Sequence, residues 1–337
     1  MSLTYSLELL FGKRLGFRLL SPIGLEWYEK GYWDVYPHPD TAAQYLSLGR
    51  ADASVYDRDK VETGSGPETV DPSIYYCPDI TKDIYERSIT FQKFLDTPID
   101  IFIASIPEHV TPFNRLIRRF KPKAKLIFQM GNMFPRLHFR GVRNVLNSTE
   151  RRTSFYIHAV KTSQEFSLED FFYEPPRPSR KIVAFAYYIW QDPICRQMQI
   201  KLGDFSLETY GSGNEFPGIV KTRDVAAKMR EAAFIWHVKK GGDGYGHVLH
   251  NAAALGRPVI ISKNTYRKLR FGKFIEDGKT CVCVDGLESE ALAKKIRHYA
   301  EPDRHRSLCE NIYERFRNLV DFDKDERNVR RFLENLR

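Results

Sequence analysis

Cysteine is scarce in this chain. There are five among 337 residues, and their odd number and wide spacing argue against a disulfide framework. Cys281 and Cys283, in TCVCVD, have the spacing of a metal half-site, but the alternation makes them small apolar residues of a buried strand. No apolar run approaches the roughly 18 residues of a membrane span. The N-terminus lacks the charged, apolar and small-residue order of a signal peptide. These absences predict a cytoplasmic protein or one peripheral to a membrane. No internal repeat or low-complexity tract is present. No Asp-X-Asp pair sits at a strand end, so no obligatory metal is expected. What is there, 42% apolar and 28% charged residues, is a globular composition long enough for two domains.

The net charge of +9 is unevenly placed. Between Phe113 and Arg152 stand eleven basic residues, Arg115 to Arg152, opposed only by Glu150. Arg257 to Lys273 holds six more with no acid. Such clusters imply an anionic partner: a nucleotide diphosphate, a nucleic acid or an anionic surface.

Apolar runs alternate with amphipathic helices on both sides of FFYEPPRPSRK, residues 171–181. Before it, IDIFIAS, KLIFQMG and VRNVLNST read as strands and FNRLIRRFKP as a basic helix. After it, KIVAFAYYI, SLETYG, AFIWHV, RPVIIS and CVCV read as strands, with three helices among them and a fourth, ESEALAKKIRHYA, after the last. Three prolines in four positions from Pro175 mark a stiff linker. At the start, Leu3, Leu7, Leu10 and Phe11 have helical spacing, with Gly12 and Gly16 expected to end the helix. FRLLSPIG reads as a strand, 57–80 as a long loop and ITFQKFL as a short helix. The reading is α/β: two doubly wound Rossmann-like domains facing a cleft, at 1–174 and 181–320, joined by linker 175–180. Residues 321–337 read as a terminal helix.

The most informative stretch is GGDGYGHVLHNAAALGRPVI, residues 241–260. AFIWHV precedes it as a strand, glycines follow the strand's carboxyl end, and a helix follows them. That order builds a phosphate cradle, because bare backbone admits a close ligand and a helix start offers free N–H groups. Lys239 and Lys240 flank the loop. No GK[ST] closes it, and it lies far from the first strand that a dinucleotide fingerprint requires.

Over about 181–320 these motifs resemble the donor domain of group 1, retaining, sugar-nucleotide-dependent GT-B glycosyltransferases. That family carries E-G-F-G-x4-E followed by A-x-A-x-G-x-P-V. Here D-G-Y-G-H-V-L-H-N is followed by A-A-A-L-G-R-P-V, so Asp243 falls on the first acid and Asn251 on the second. YGSGN, with Gly211 and Gly213, matches the strand-ending G-x-G, and FPGIV the later G-x-V. The first half resembles the family in layout only, and the resemblance implies that the terminal helix within 321–337 crosses back to the first domain.

The resemblance implies a nucleotide diphosphate sugar as donor, with no obligatory cofactor. It implies that Asp243 contacts the donor sugar, Asn251 the ribose, and the amides of Gly244, Tyr245 and Gly246 the diphosphate. His247 shares a helix face with Asn251 and would reach phosphate or sugar; His250 is expected to be packed or solvated. Cations for the leaving diphosphate would be Arg196 and Lys201, with Lys239 and Lys263 as rivals. His109 would face the sugar or acceptor, and Gln129, Gly131 and Asn132 the acceptor side. The family begins with a strand and a glycine-rich loop, where this chain starts at a helix. The expected function is transfer of a sugar, with retention, to a glycan, a lipid-linked acceptor or a nucleic acid. The alternatives are a catalytically degenerate scaffold that binds a polyanion or nucleic acid, and a glycosyltransferase acting on DNA.

Overall fold

In the computed structural model of this chain the described residues are 6–19, 95–105, 107, 110–132, 141–153, 156–186, 188–189, 192–211, 214–216 and 222–337. Short apolar runs buried on both faces form parallel strands, as such patterns require. The first sheet holds β1 (Ile101–Ala104), β2 (Lys125–Met130), β3 (Asn144–Asn147) and β4 (His158–Lys161), all parallel, in that spatial order. Helix α1 (Val110–Phe120) connects β1 to β2. Its amphipathic pattern puts Phe113, Leu116 and Ile117 against Phe102, Leu126 and Phe128, and turns Arg115, Arg118 and Arg119 to solvent.

The second sheet holds β5 (Lys181–Ala184), β6 (Ser206–Thr209), β7 (Phe234–Trp236), β8 (Val259–Ile261) and β9 (Cys281–Cys283). Its order is β6-β5-β7-β8-β9, again all parallel, so the winding reverses between β5 and β7. Crossovers are made by α2 (Pro193–Lys201), α3 (Thr222–Glu231), α4 (His247–Ala254) and the short α5 (Lys263–Tyr266) with a 3-10 turn at Arg270–Phe274. Helices α6 (Ser289–Tyr299) and α7 (Pro302–Leu319) follow β9. Each face of this sheet has its own apolar core. Cys281 and Cys283 are buried there, their sulfurs 3.8 Å apart.

The chain crosses between the two bodies at places the linker prolines do not mark. Phe166 and Phe171 precede the expected boundary at 174, yet both are buried in the second sheet's core. Phe166 meets Phe316 and Phe322 edge-on or tilted. The proline segment runs along the same body: Arg257 donates to the Glu174 carbonyl at 3.1 Å, and Tyr173 stacks on Tyr313 at 4.3 Å. Helix α8 (Phe322–Glu334) starts in the second core at Phe322 and ends in the first, where Val329 and Phe332 pack with Leu10, Phe11, Ile127 and Leu146.

Local differences from the sequence reading have physical causes. The N-terminal helix is a π-helical segment, Glu8–Arg14, that runs through Gly12. Burial of Leu9, Leu10 and Phe11 outweighs glycine's helix penalty of about 1 kcal/mol. Strand β4 was not expected, because HAVK is half-exposed and polar at both ends. Residues 17–19 form no strand; the rest of FRLLSPIG, the loop 57–80, and ITFQKFL before Leu95 lie outside the described residues.

Candidate active site

The glycine loop leaves the second sheet at β7, beside the point where the winding reverses. Open α/β sheets bind ligands at that place. Phe234, Ile235 and Trp236 are fully buried, which fixes the strand end. Gly246 then sits at φ +79°, a left-handed turn that other residues adopt reluctantly, and α4 begins without a side-chain cap. The amides of Gly244 and Gly246 have no hydrogen-bond partner among the described residues.

Asp243 is held from three sides. His237 Nε2 donates to Oδ2 at 2.6 Å, Tyr266 donates its hydroxyl to Oδ2 at 3.0 Å, and Lys239 donates to Oδ1. Burial alone raises this carboxyl's pKa, but the hydrogen bond and charge of His237, together with Lys239, hold it well below the carboxylate range. Neither His237 nor Tyr266 was among the expected site residues. The available signal was a histidine closing an otherwise apolar strand.

Gly244 and Tyr245 touch the other domain. A Cβ on Gly244 would lie 2.6 Å from the Asn132 Cα and the Gly131 oxygen, so only glycine permits the approach. Tyr245 N donates to the Gly131 carbonyl at 3.1 Å. The expected diphosphate contact from that amide is therefore corrected: Gly131 already takes it. Gln129, expected on the acceptor side, accepts from Ser105 at 3.0 Å instead.

Among the described residues, the first turns of α4 hold two polar atoms without partners. Asn251 is 5% exposed and its Oδ1 is buried with no hydrogen bond. The His247 ring meets Phe166 edge-on, its Nδ1 is likewise buried and unpartnered, and burial pushes its pKa down to about 3. His250 is a packed core histidine. It stacks on Tyr245 at 4.0 Å, and its Nδ1–H donates to the Gly246 carbonyl at 2.9 Å.

The remaining expected residues scatter. Gly211 takes φ +114° at the end of β6, and Gly213 lies outside the described residues. Arg196 is exposed in the first turn of α2, on the carboxyl side of the sheet. Lys201 ends that helix and pairs with Glu290 at 2.9 Å. A crossover helix returns the chain to the amino ends of the strands, so Lys201 faces away from the loop; its expected role at the diphosphate is corrected. Lys239 is committed to Asp243, whereas Lys263 is exposed just after β8 on the loop's side of the sheet. His109 lies outside the described residues. Among the described residues, no three or more His, Cys, Asp and Glu side chains are grouped to hold a metal, and no helix is long and apolar enough to cross a membrane.

No family model and no curated protein matches this sequence. Solved structures do. Anabaena HepE in complex with UDP-glucose is similar at a TM-score of 0.58 and 12% identity, over 95% of this chain and 98% of that one. A glycosyltransferase from Rickettsia africae matches at 0.52 and 13%, over 88% and 93%. Sucrose-phosphate synthase from Thermosynechococcus elongatus matches at 0.52 and 14%, over 73% and 76%. At such identities the likeness defines the fold: this chain is an α/β protein of the GT-B type, two Rossmann-like domains facing a cleft.

Proposed function

We propose that the chain is a glycosyltransferase that moves a sugar from a nucleotide diphosphate donor to an acceptor hydroxyl, with retention and without obligatory metal. The donor sits on the domain of about 181–320 and the acceptor on that of about 1–174. The observation that carries this reading is the pair of buried, partnerless atoms, Asn251 Oδ1 and His247 Nδ1, beside an uncapped helix start at the sheet's reversal point. Buried polar atoms are almost always paired, so orphans in a cleft call for a ligand. Asn251 Oδ1 accepts from a ribose hydroxyl, and the amides of Gly244 and Gly246 take the diphosphate. Asp243 fixes the loop. Three donors leave it about one of some four acceptor positions, on Oδ1, for a sugar hydroxyl. Lys263 and Arg196 face the charge that builds on the leaving diphosphate. The UDP-glucose bound by the similar HepE structure makes UDP the first nucleotide to test.

A thermal-shift panel of UDP, GDP, ADP, CDP and dTDP, with and without magnesium, tests the reading. A nucleotide at 100 times its dissociation constant stabilises the protein by about 2.7 kcal/mol. The expected result is one stabilising base in the absence of magnesium. No shift with any of them overturns the donor site and favours the polyanion-binding reading.

A further inference from the structure

Glu150 is the lone acid among the eleven basic residues between Phe113 and Arg152. The fold places it on the second basic stretch, which has no acid of its own. Its Oε1 accepts from Arg270 Nη1 at 3.0 Å and Lys273 Nζ at 3.1 Å, across the cleft from the 3-10 turn. Lys161, at the end of β4, lies 3.9 Å from Oε2 and is fixed from behind by the Thr149 carbonyl. Three cations thus surround the Glu150 carboxylate, while Asp325 also acts on Arg270. Burial lowers the Lys161 pKa, the charge of Glu150 opposes it, and repulsion from Arg270 and Lys273 adds to the lowering. Two residues before Glu150, the Ser148 hydroxyl is fully buried and has no partner among the described residues. Arg270 is also near enough to the glycine-loop Tyr245 to act on its hydroxyl.

A simple ion pair across two domains needs one cation, not three. We propose that Lys161, Arg270 and Lys273 form a subsite for an anionic group of the acceptor, a phosphate or a carboxylate, which Glu150 occupies as an internal substitute until that group arrives. With Glu150 displaced, three cations face the incoming group, and a phosphate dianion neutralises more of that charge than a single carboxylate does. Glu150 is free to yield, since its side chain is 26% exposed at the edge of the cleft. The assignment to the acceptor rests on the transferase reading; the anion subsite does not.

The test titrates the full chain with inorganic phosphate at constant ionic strength, with and without saturating UDP, and reads the melting temperature. Phosphate stabilises the wild type. Glu150→Gln removes the competing carboxylate and tightens phosphate about tenfold, whereas Lys273→Gln, at a half-exposed position that does not threaten folding, weakens it about tenfold. UDP leaves the phosphate response in place. If neither substitution changes the response, there is no such subsite. If UDP abolishes it, phosphate is reading the donor site and the acceptor assignment fails. A phosphate response that follows the substitutions in a protein blind to every nucleotide keeps the subsite and overturns the donor reading.

Discussion

A buried carbonyl oxygen without a partner costs about 1–3 kcal/mol, and Asn251 keeps one at 5% exposure. Asn251→Leu, of similar volume, should therefore raise stability in urea unfolding by about 1 kcal/mol while weakening the stabilising nucleotide tenfold or more by calorimetry. Unchanged nucleotide affinity would remove Asn251 from the site. His250 gives a pH dependence. It is 1% exposed, and burial pushes its pKa down to about 3, against about 6.5 in the unfolded chain. Between those values the unfolded state binds the extra proton. The contribution is thus complete above the unfolded value and is lost as pH falls toward the folded one. From pH 7.5 to 5.5 this one group should cost about 1.4 kcal/mol. His250→Phe, which keeps the stack on Tyr245, should flatten the measured slope by that amount. A slope unaltered by the substitution would place the titration elsewhere. At this scale the sequence marked the turn at Gly246, where a φ of +79° favours glycine. It was silent on His237 and Tyr266, which reach Asp243 from six residues before it and from a later helix.

Among the elements, α8 has the clearest energetic role. Phe332 is 3% exposed, packs with Ile127 and Leu146, and stacks on His158 at 4.7 Å. Phe332→Ala should destabilise by about 3–5 kcal/mol in urea unfolding. A cost below 1 kcal/mol would show that α8 does not dock on the first sheet in solution. The strands of the second sheet were legible as Val-, Ile- and Phe-rich runs between helical stretches, since burial on both faces demands continuous apolar sequence. The same rule hid β4, half-exposed at its sheet's edge. Likewise, the period of 3.6 found α1 but not the π-helical geometry that carries Glu8–Arg14 past Gly12, which depends on what those apolar residues meet.

For the whole molecule, the domain contact at Gly244 is a tightly constrained point. Gly244→Ala places a methyl group 2.6 Å from the Asn132 backbone, and backbone cannot turn aside as a long side chain does. The expected outcome is an opened cleft: a larger radius of gyration in solution scattering, with helix content by circular dichroism unchanged. Equal radii for variant and wild type would mean that this contact does not hold the domains together. The Tyr245 to Gly131 hydrogen bond breaks with the same opening, which frees the Tyr245 amide.

By itself the sequence determined the α/β class, the parallel strands and the position of the glycine loop. Each follows from local rules: period, burial on two faces, and the conformations open to glycine. Tertiary structure alone decided that Tyr245 meets Gly131, that Lys201 faces away from the loop, and that Glu150 closes on Arg270 and Lys273. It also decided that the chain joins the second core at Phe166, ahead of its prolines. The physical reason is distance along the chain. Contacts between residues a hundred or more positions apart depend on how two sheets face each other, which no local pattern of residues encodes.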